Sequence, residues 1–482
     1  MVLYSCFVRA SEPNCRERFL ESGRVADIRM TDFDVLVIGG GTGNNVAAAA
    51  ADAGLETALV EPGPLGGTCL NRGCNPSKML IQAANAANHV REAERFHVDA
   101  TLGGVDHAAI VDEMDDLLGG IAEDMAARYR EKEHLTLFEE HTEFLDERTV
   151  ALDGGAVTAE KVVVAAGSRP IVPPIDGLDE IDYLTSQGAL YLREPPESLV
   201  VMGGGYIAVE LGYFFDAMGT DVTIVEMMDS LLPREDGEVA AAFTDIATDR
   251  HDVYTGHRVT AVEETDDGHA VHAETEAGEE LTVEGSEVLV ALGRQPNSDT
   301  LDLDAAGIEV DDRGFIVTNE YLETTAENVW AQGDIAGNAL FKHSGDYETR
   351  HTIANVVRDE DRTVDLSAMP HAIFTEPQIA GVGATEEDLE TAGTEYVVGR
   401  ADYADSAMGR AKKLDHGFVK VLAAPDGEIL GAHAIGYEAS TLLHEAVLAM
   451  RTGATVEDVA GAIHAHPTLS KVIEAAFRDV ND

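Results

Sequence analysis

The chain is poor in cysteine, with four in 482 residues. Cys6 and Cys15 lie within the first thirty residues, and no cysteine follows Cys69 and Cys74. Zinc bound by Cys69 and Cys74 would need two more soft ligands, so the sequence predicts no metal site. Two interpretations of this close pair of cysteines then remain, redox chemistry and a buried structural pair. Redox chemistry is favoured.

Cations are also scarce: 33 Lys and Arg face 89 Asp and Glu, which gives a formal net charge of −56. The acids are spread along the whole chain, which is typical of a solvated surface and disfavours nucleic acid as a partner. In molar salt the Debye length falls to about 3 Å, so repulsion between the acids largely disappears. The composition indicates a cytoplasmic protein of a halophilic microbe, and the lack of any long apolar run predicts no membrane contact.

Residues 1–30 differ from the rest, because they are near neutral and lack the apolar core of a signal peptide. Met30 stands directly before the first predicted strand. We therefore expect residues 1–30 to be a disordered or non-native extension, with translation starting at Met30, and Cys6 and Cys15 to be incidental.

The most informative stretch is Gly66-Gly67-Thr68-Cys69-Leu70-Asn71-Arg72-Gly73-Cys74-Asn75-Pro76-Ser77-Lys78. The run from Cys69 onward predicts the opening of a helix, where the helix dipole and the charge of Lys78 would stabilise a thiolate. A stabilised thiolate is both a nucleophile and a good leaving group. Cys69 and Cys74 can therefore cycle between disulfide and dithiol.

This motif resembles the active-site signature of the flavoprotein disulfide reductases (class I pyridine nucleotide-disulfide oxidoreductases). Four further motifs extend the resemblance from about residue 31 to the end. It implies an α/β fold with two Rossmann-like domains, for FAD and NAD(P), a C-terminal α+β dimerisation domain, and an obligate homodimer. The implied domains are 31–170 and 298–367 for FAD, 171–297 for NAD(P) and 368–482 for the interface.

The first nucleotide site is predicted at Gly39-Gly40-Gly41-Thr42-Gly43-Asn44, directly after the buried strand 35–38. Gly39 and Gly41 allow a tight turn and the approach of a pyrophosphate to a helix N-terminus. Asn44 replaces the usual third glycine, and we expect it to displace the helix slightly from the strand. Glu61 ends a second strand, where it can accept a hydrogen bond from a ribose hydroxyl. By resemblance, the FAD-binding segments also contain Gly43, Gly67, Thr68, Lys78, Gly167 and Asp334.

A second fingerprint, Gly203-Gly204-Gly205-Tyr206, is expected to bind the nicotinamide nucleotide, with a family-like junction at Gly293. The resemblance implies that Tyr206 covers the flavin until the nicotinamide displaces it. It also implies that Glu210 pairs with Lys78 near flavin N5.

The sequence leaves the choice of coenzyme open. Glu226 follows strand 222–225, where it suits the ribose diol of NADH and repels the 2′-phosphate of NADPH. Reductases of small thiol disulfides, however, usually take NADPH. High salt would also weaken the repulsion at Glu226.

Near the C-terminus, His464-Ala465-His466-Pro467 resembles the element that reaches into the partner subunit's site in the family. His466 is therefore the candidate acid/base. The family usually places a glutamate five residues later, but this chain has Lys471, whose ammonium would disfavour an imidazolium. We expect Glu474, on the same helix face, to pair with Lys471 or to replace the missing carboxylate.

The resemblance implies that electrons pass from the nicotinamide through the flavin to the Cys69–Cys74 disulfide. Cys74 is then the flavin-proximal thiol, and Cys69 attacks the disulfide substrate. The scarce cations include a group that would suit an anionic disulfide, so bis-γ-glutamylcystine is the first candidate substrate. A dihydrolipoamide dehydrogenase and a non-catalytic flavoprotein with an idle dithiol are the alternatives. The cations that would suit an anionic disulfide are Arg72, Arg410, Lys412 and Lys413.

Overall fold

A computed structural model describes residues 30–480. The prediction about residues 1–30 lies outside this range except at Met30, where the first strand begins. The described chain forms two compact units. Within the described residues, the first unit takes 30–69, Gly120–Arg169 and Gln295–Val364, and the second takes Leu70–Gly119, Pro170–Arg294 and 365–480.

The strands of the described residues are, in chain order, β1 Met30–Ile38, β2 Thr57–Val60, β3 Leu135–Phe138, β4 Phe144–Asp146, β5 Thr149–Leu152, β6 Gly155–Val164, β7 Ser168–Pro170, β8 Leu184–Thr185, β9 Ser198–Met202, β10 Asp221–Val225, β11 Asp252–Tyr254, β12 Arg258–Thr265, β13 Gly268–Glu274, β14 Glu280–Gly285, β15 Glu287–Val290, β16 Arg294–Pro296, β17 Val329–Ala331, β18 Pro370–Ile373, β19 Gln378–Gly383, β20 Val397–Asp402, β21 Phe418–Ala423 and β22 Ile429–Gly436.

The α-helices are α1 Gly43–Asp52, α2 Gly67–Arg72, α3 Cys74–Arg91, α4 His107–Arg130, α5 Ser186–Leu190, α6 Tyr206–Met218, α7 Gly237–Thr248, α8 Lys342–Thr352, α9 Glu386–Ala392, α10 Ala407–Lys412, α11 Ala439–Leu442, α12 His444–Thr452, α13 Val456–Gly461 and α14 Ser470–Asp479. α3 is followed by a separate 3-10 turn, Ala93–Phe96. No helix within residues 30–480 is both long and apolar enough to cross a membrane.

The first unit is built on a seven-stranded sheet with the order β3-β2-β1-β6-β5-β4, and β17 also pairs with β6. The pairings that join β1, β2, β3, β6 and β17 are parallel, which requires crossover connections such as α1 between β1 and β2. Residues 35–38 of β1 are at most 3% exposed. This burial explains their unbroken apolar run, since both faces of a parallel sheet are covered.

The second unit repeats this arrangement and adds an antiparallel part. A parallel sheet, β11-β10-β9-β15-β8, carries α6 between β9 and β10, and β12, β13 and β14 form a three-stranded antiparallel sheet. The C-terminal region folds around the antiparallel sheet β18-β19-β22-β21-β20. Two Rossmann-like sheets and a C-terminal α+β region confirm the predicted fold class.

Candidate active site

The two motif cysteines lie on either side of a helix break. Cys69 is half-buried within α2, whereas Cys74 is exposed and begins α3. Gly73 separates the helices with the non-helical angles φ −151° and ψ −114°. The sequence predicted a helix opening at Cys69, but the helix there begins at Gly67, and Cys74 opens the 18-residue one. The positive end of the longer helix dipole therefore lies at Cys74.

Lys78 and Glu210 form the ion pair that the sequence predicted. The Nζ of Lys78 lies 2.6 Å from Oε2 of Glu210, whose side chain is 10% exposed. The other oxygen of Glu210 accepts the backbone N–H of Phe374 at 2.9 Å, and the ammonium lies 4.6 Å from the centre of the Phe374 ring. Glu210 is thus a partnered buried acid rather than a surface residue. The role of the pair beside a flavin stays a prediction.

The first glycine turn has the shape that a pyrophosphate needs. Gly39 has φ +108°, and a Cβ there would lie 2.2 Å from the carbonyl oxygen of Ala165. A Cβ on Gly67 would lie 2.6 Å from Cα of Gly41, so these two backbones lie in close contact. The turn then leads into α1, whose first N–H groups are available to an anion. These residues fit the diphosphate of FAD.

Glu61 ties this turn together. One of its oxygens accepts the N–H of Gly40 at 2.6 Å, and the other accepts the N–H of Gly63 at 2.8 Å. The side chain is buried at the end of β2, where a ribose would lie in a Rossmann unit. Each carboxylate oxygen retains a lone pair for a ribose hydroxyl.

Asn44 replaces the usual third glycine, and its side chain bonds to the backbone of the first glycine turn. Its Nδ2 donates to the carbonyl oxygen of Gly40 at 3.1 Å, while its buried Oδ1 has no hydrogen-bond partner among the described residues. α1 comes closest to β1 at Gly43, the residue before Asn44. A Cβ on Gly43 would lie 2.8 Å from Cγ1 of Val37.

The other predicted FAD residues lie in the same unit. Thr68 is half-buried in α2, and Gly167 adopts φ +70° between β6 and β7. Asp334 lies in the 3-10 turn Gly333–Ala336 and accepts a hydrogen bond from the Ser168 hydroxyl. The role of Asp334 on a ribitol chain stays a prediction.

The second glycine turn repeats the first. Gly203 again has φ +108°, and a Cβ there would lie 2.7 Å from the carbonyl oxygen of Ala291. Glu226 accepts the backbone N–H of Gly204 with one oxygen and that of Met228, at 2.7 Å, with the other. Gly205 precedes α6, and Gly293 adopts φ +119°. The turn and its acid fit the diphosphate and ribose of a second dinucleotide.

The C-terminal motif places His466 on the surface. Glu474 is buried, and its contacts within the described residues include Lys471 and Arg478 but not His466. Burial opposes its charge, but the bond from Lys471 and the charge of Arg478 outweigh this and hold the pKa of Glu474 below its usual value. The structure thus brings Glu474 to Lys471, one of the two predicted alternatives, and not to the candidate acid/base.

Sequence reasoning missed four buried or half-buried groups near these motifs. His464 contacts Oε1 of Glu445 with Nε2 at 2.6 Å, and its position two residues before His466 was the available signal. Glu235, His371 and Glu348 gave no signal, because a single polar residue in a turn, a strand or a helix does not reveal its burial. Glu348 is fully buried and accepts the N–H of Gly333 at 2.6 Å.

Comparison with known proteins supplies the family. Residues 33–359 match the model of the pyridine nucleotide-disulphide oxidoreductases, and residues 369–477 match the dimerisation domain of the same family. The dihydrolipoyl dehydrogenase of Halobacterium salinarum is 40% identical, covering 94% of this chain and 97% of its own. The mycothione reductase of Mycobacterium tuberculosis is 35% identical, covering 93% and 99%.

Among solved structures, the HOCl-induced flavoprotein disulfide reductase RclA from Escherichia coli is similar, with a TM-score of 0.82 and 26% identity over 92% of this chain and 99% of its own. The chain therefore belongs to the pyridine nucleotide-disulphide oxidoreductases, which are enzymes that use FAD and NAD(P)H and carry a C-terminal dimerisation domain.

Proposed function

We propose that this flavoprotein disulfide oxidoreductase reduces a small anionic disulfide through Cys69 and Cys74, and that bis-γ-glutamylcystine is its first candidate substrate. The observation that carries the anionic assignment is the state of Arg72. This side chain lies between the two cysteines in sequence, and its buried Nε has no hydrogen-bond partner among the described residues. In a chain with 89 acids, a guanidinium left without a carboxylate partner favours a carboxylate from the substrate.

The other predicted cations already have partners within the chain. Arg410 donates to the carbonyl oxygen of Asp405 at 2.6 Å. The Lys412 ammonium lies 4.2 Å from the centre of the Tyr437 ring, and that of Lys413 lies 5.3 Å from the Phe96 ring. These contacts assign them to local packing, so the argument for an anionic substrate depends on Arg72.

The residues divide the chemistry as follows. FAD, when bound, carries an electron pair from the nicotinamide to the cysteine pair. The Cys69 thiolate attacks one sulfur of the substrate disulfide, and the other sulfur leaves as a thiol after taking a proton from the partner subunit's His466. Cys74 then attacks Cys69, which releases the second thiol and restores the Cys69–Cys74 disulfide. One disulfide is reduced to two thiols for each dithiol oxidised.

We propose residues 31–170 and 298–367 as the FAD-binding domain, 171–297 as the NAD(P)-binding domain and 368–482 as the interface domain. The two glycine turns, each with a glutamate at the end of its second strand, support the two nucleotide assignments. The dimerisation-domain match over 369–477 supports the third.

Dihydrolipoamide oxidation is the second candidate, because a relative that is 40% identical over nearly the full chain is named a dihydrolipoyl dehydrogenase. Lipoamide is uncharged, so this reaction would not use Arg72. The two candidates therefore differ in what Arg72 should contribute.

The test is a steady-state panel in molar KCl with bis-γ-glutamylcystine, glutathione disulfide, lipoamide and mercuric ion, each with NADH and NADPH. We expect bis-γ-glutamylcystine to give the highest kcat/KM and Arg72→Gln to lower it at least 10-fold, with lipoamide unaffected. Cys69→Ser should abolish disulfide reduction but retain FAD. A highest kcat/KM for lipoamide, unaffected by Arg72→Gln, would favour the second candidate, and no turnover with any disulfide would identify an idle dithiol.

A further inference from the structure

Three side chains meet beside the second glycine turn and form what we term the Tyr206 latch: Tyr206, Glu235 and His371. The Tyr206 hydroxyl donates to Oε1 of Glu235, and Nε2 of His371 lies 2.8 Å from Oε2 of the same carboxylate. The Tyr206 and His371 rings also stack, with centroids 6.0 Å apart and planes inclined by 20°. Both oxygens of Glu235, whose side chain is only 1% exposed, are therefore used by the latch.

The backbone around Glu235 is anchored on both sides. Leu232, three residues earlier, donates its N–H to the carbonyl oxygen of Gly204 at 2.9 Å. Asp236, the next residue, is fully buried and receives the Lys420 ammonium at 2.8 Å. Glu235 is therefore a fixed acceptor for the Tyr206 hydroxyl.

His371 has a place prepared by a glycine. A Cβ on Gly381 would lie 2.5 Å from Cε1 of His371 and 3.0 Å from Nδ1 of His433. Gly381 is not among the glycines with positive φ, so conformational freedom is not the reason for a glycine here. A glycine is needed at position 381 because a side chain there would occupy the space of the two imidazole rings.

Tyr206 lies beside the site where the second dinucleotide is expected to bind. Tyr206 is the first residue of α6 and directly follows the three glycines of the second turn, where a dinucleotide diphosphate binds at a helix N-terminus. Burial, together with the Glu235 carboxylate, raises the pKa of Tyr206, so its hydroxyl remains a hydrogen-bond donor. The ring is thus held beside the nucleotide site by a bond that a ligand can replace.

We propose that Glu235 and His371 are positioning residues that hold Tyr206 over the nicotinamide end of the second nucleotide site, and that nucleotide binding breaks the Tyr206–Glu235 hydrogen bond. The inference rests on the proposed function in one respect, since it assigns the second glycine turn to NAD(P)H. In the closed state Tyr206 is bonded to Glu235 and covers the nicotinamide end of the site. The fraction of molecules in this state therefore reduces the affinity for a whole dinucleotide, while the affinity for a fragment without nicotinamide is unchanged.

The experiment is calorimetric titration of the FAD-loaded enzyme in molar KCl with NAD⁺, NADP⁺, ADP-ribose and 2′-phospho-ADP-ribose. Tyr206→Phe should tighten dinucleotide binding about 10-fold, because a hydrogen bond to a charged group holds the closed state, and should change fragment binding less than about twofold. Glu235→Gln keeps an acceptor for the hydroxyl and should give a smaller gain. Tyr396→Phe removes a tyrosine–glutamate bond elsewhere in the same unit, 2.9 Å to Glu386, and should change neither affinity.

Two further variants sharpen the test. Tyr206→Phe combined with Glu235→Gln should bind dinucleotide no more tightly than Tyr206→Phe alone, because both substitutions act on one bond. Gly381→Ala should displace His371 and reproduce part of the gain. Equal changes for dinucleotide and fragment, or no change in Tyr206→Phe, would overturn the latch alone. Failure of every nucleotide to bind the unmodified enzyme would overturn the coenzyme assignment and the latch with it, and loss of disulfide turnover alone would affect only the proposed substrate.

Discussion

The two glycine turns of this chain have the same backbone and the same acid. Gly39 and Gly203 both adopt φ +108°. Glu61 and Glu226 each use one oxygen for the N–H of the middle glycine and the other for an N–H two residues beyond the acid. The shared geometry follows from a shared requirement, because any dinucleotide diphosphate needs a tight turn before a helix.

The residue after the glycine triplet distinguishes the two turns. In the first turn it is Thr42, which packs against backbone: a Cβ on Gly345 would lie 2.9 Å from Cγ2 of Thr42, and one on Gly333 would lie 3.3 Å from its hydroxyl. In the second it is Tyr206, held by hydrogen bonding to Glu235. A turn closed by fixed backbone suits a cofactor that stays bound, whereas one covered by a releasable side chain suits a coenzyme that exchanges at every turnover.

The largest effect is expected from alanine at the first glycine of each turn. It tests whether the first turn tolerates this substitution less well than the second. Gly39→Ala combines a positive φ with a clash 2.2 Å from a carbonyl oxygen, which we expect to cost about 4 kcal/mol or more and to abolish FAD retention. Gly203→Ala has a longer contact, 2.7 Å, and should retain FAD while weakening nucleotide binding. The ratio of flavin to protein absorbance after gel filtration measures this, and equal flavin contents would contradict the comparison.

The next prediction concerns the buried acid behind the first turn. Burial raises the pKa of Glu348 to about 7, despite hydrogen bonds from Gly333 and Asn338. The folded state therefore binds a proton that the unfolded state releases above its ordinary pKa of 4.5. Stability should fall by about 3 kcal/mol as pH rises from 4.5 through 7.

Glu348→Gln should remove this fall, since an amide does not titrate. Urea midpoints between pH 5 and 8 in molar KCl measure the effect. Glu327→Gln, an exposed position in the same unit, is the control and should keep the pH dependence of the unmodified protein. A Glu348→Gln profile as steep as the original would show that this carboxyl does not cause it.

A smaller effect is expected at the acid of the second turn. Glu226→Gln removes the charge that repels a 2′-phosphate, so the ratio of kcat/KM for NADPH to that for NADH should rise about 10-fold at 0.5 M KCl. The rise should be smaller at 3 M KCl, because salt screens the repulsion. Glu194→Gln, at an exposed position of the same unit, should leave the ratio unchanged. An unchanged ratio in Glu226→Gln would mean that this acid does not select the coenzyme.

The smallest effect is expected at Asn44. Asn44→Ala gives the first turn the residue type that the second has at Ala208. It removes the hydrogen bond to Gly40 but also an Oδ1 without a partner among the described residues, so the changes nearly cancel. Thermal denaturation of the FAD-loaded enzyme should shift by less than about 1 kcal/mol in stability. A larger loss would give Asn44 a role in the turn that Ala208 lacks.

Local chemistry explains which elements were predictable. The second strand, predicted to lead to Glu61, is β2, because a short buried apolar run has one stable arrangement in a parallel sheet. The Lys78–Glu210 pair was predicted by resemblance alone, since 132 positions separate its members. The helix at the cysteine motif was predicted two residues late and without its break at Gly73, because helix boundaries depend on backbone angles that several residue types can adopt.

By itself, the sequence determined the two glycine turns with their acids and the presence of a close cysteine pair, because each lies in consecutive residues whose local chemistry permits few alternatives. It determined the fold class through resemblance to a known family. Only the tertiary structure decided which distant side chains share a carboxylate. Glu235 joins Tyr206 to His371 across 165 positions of chain. Such pairings depend on how sheets and helices pack, and burial then requires each charged group to find a partner that its neighbours in sequence do not specify.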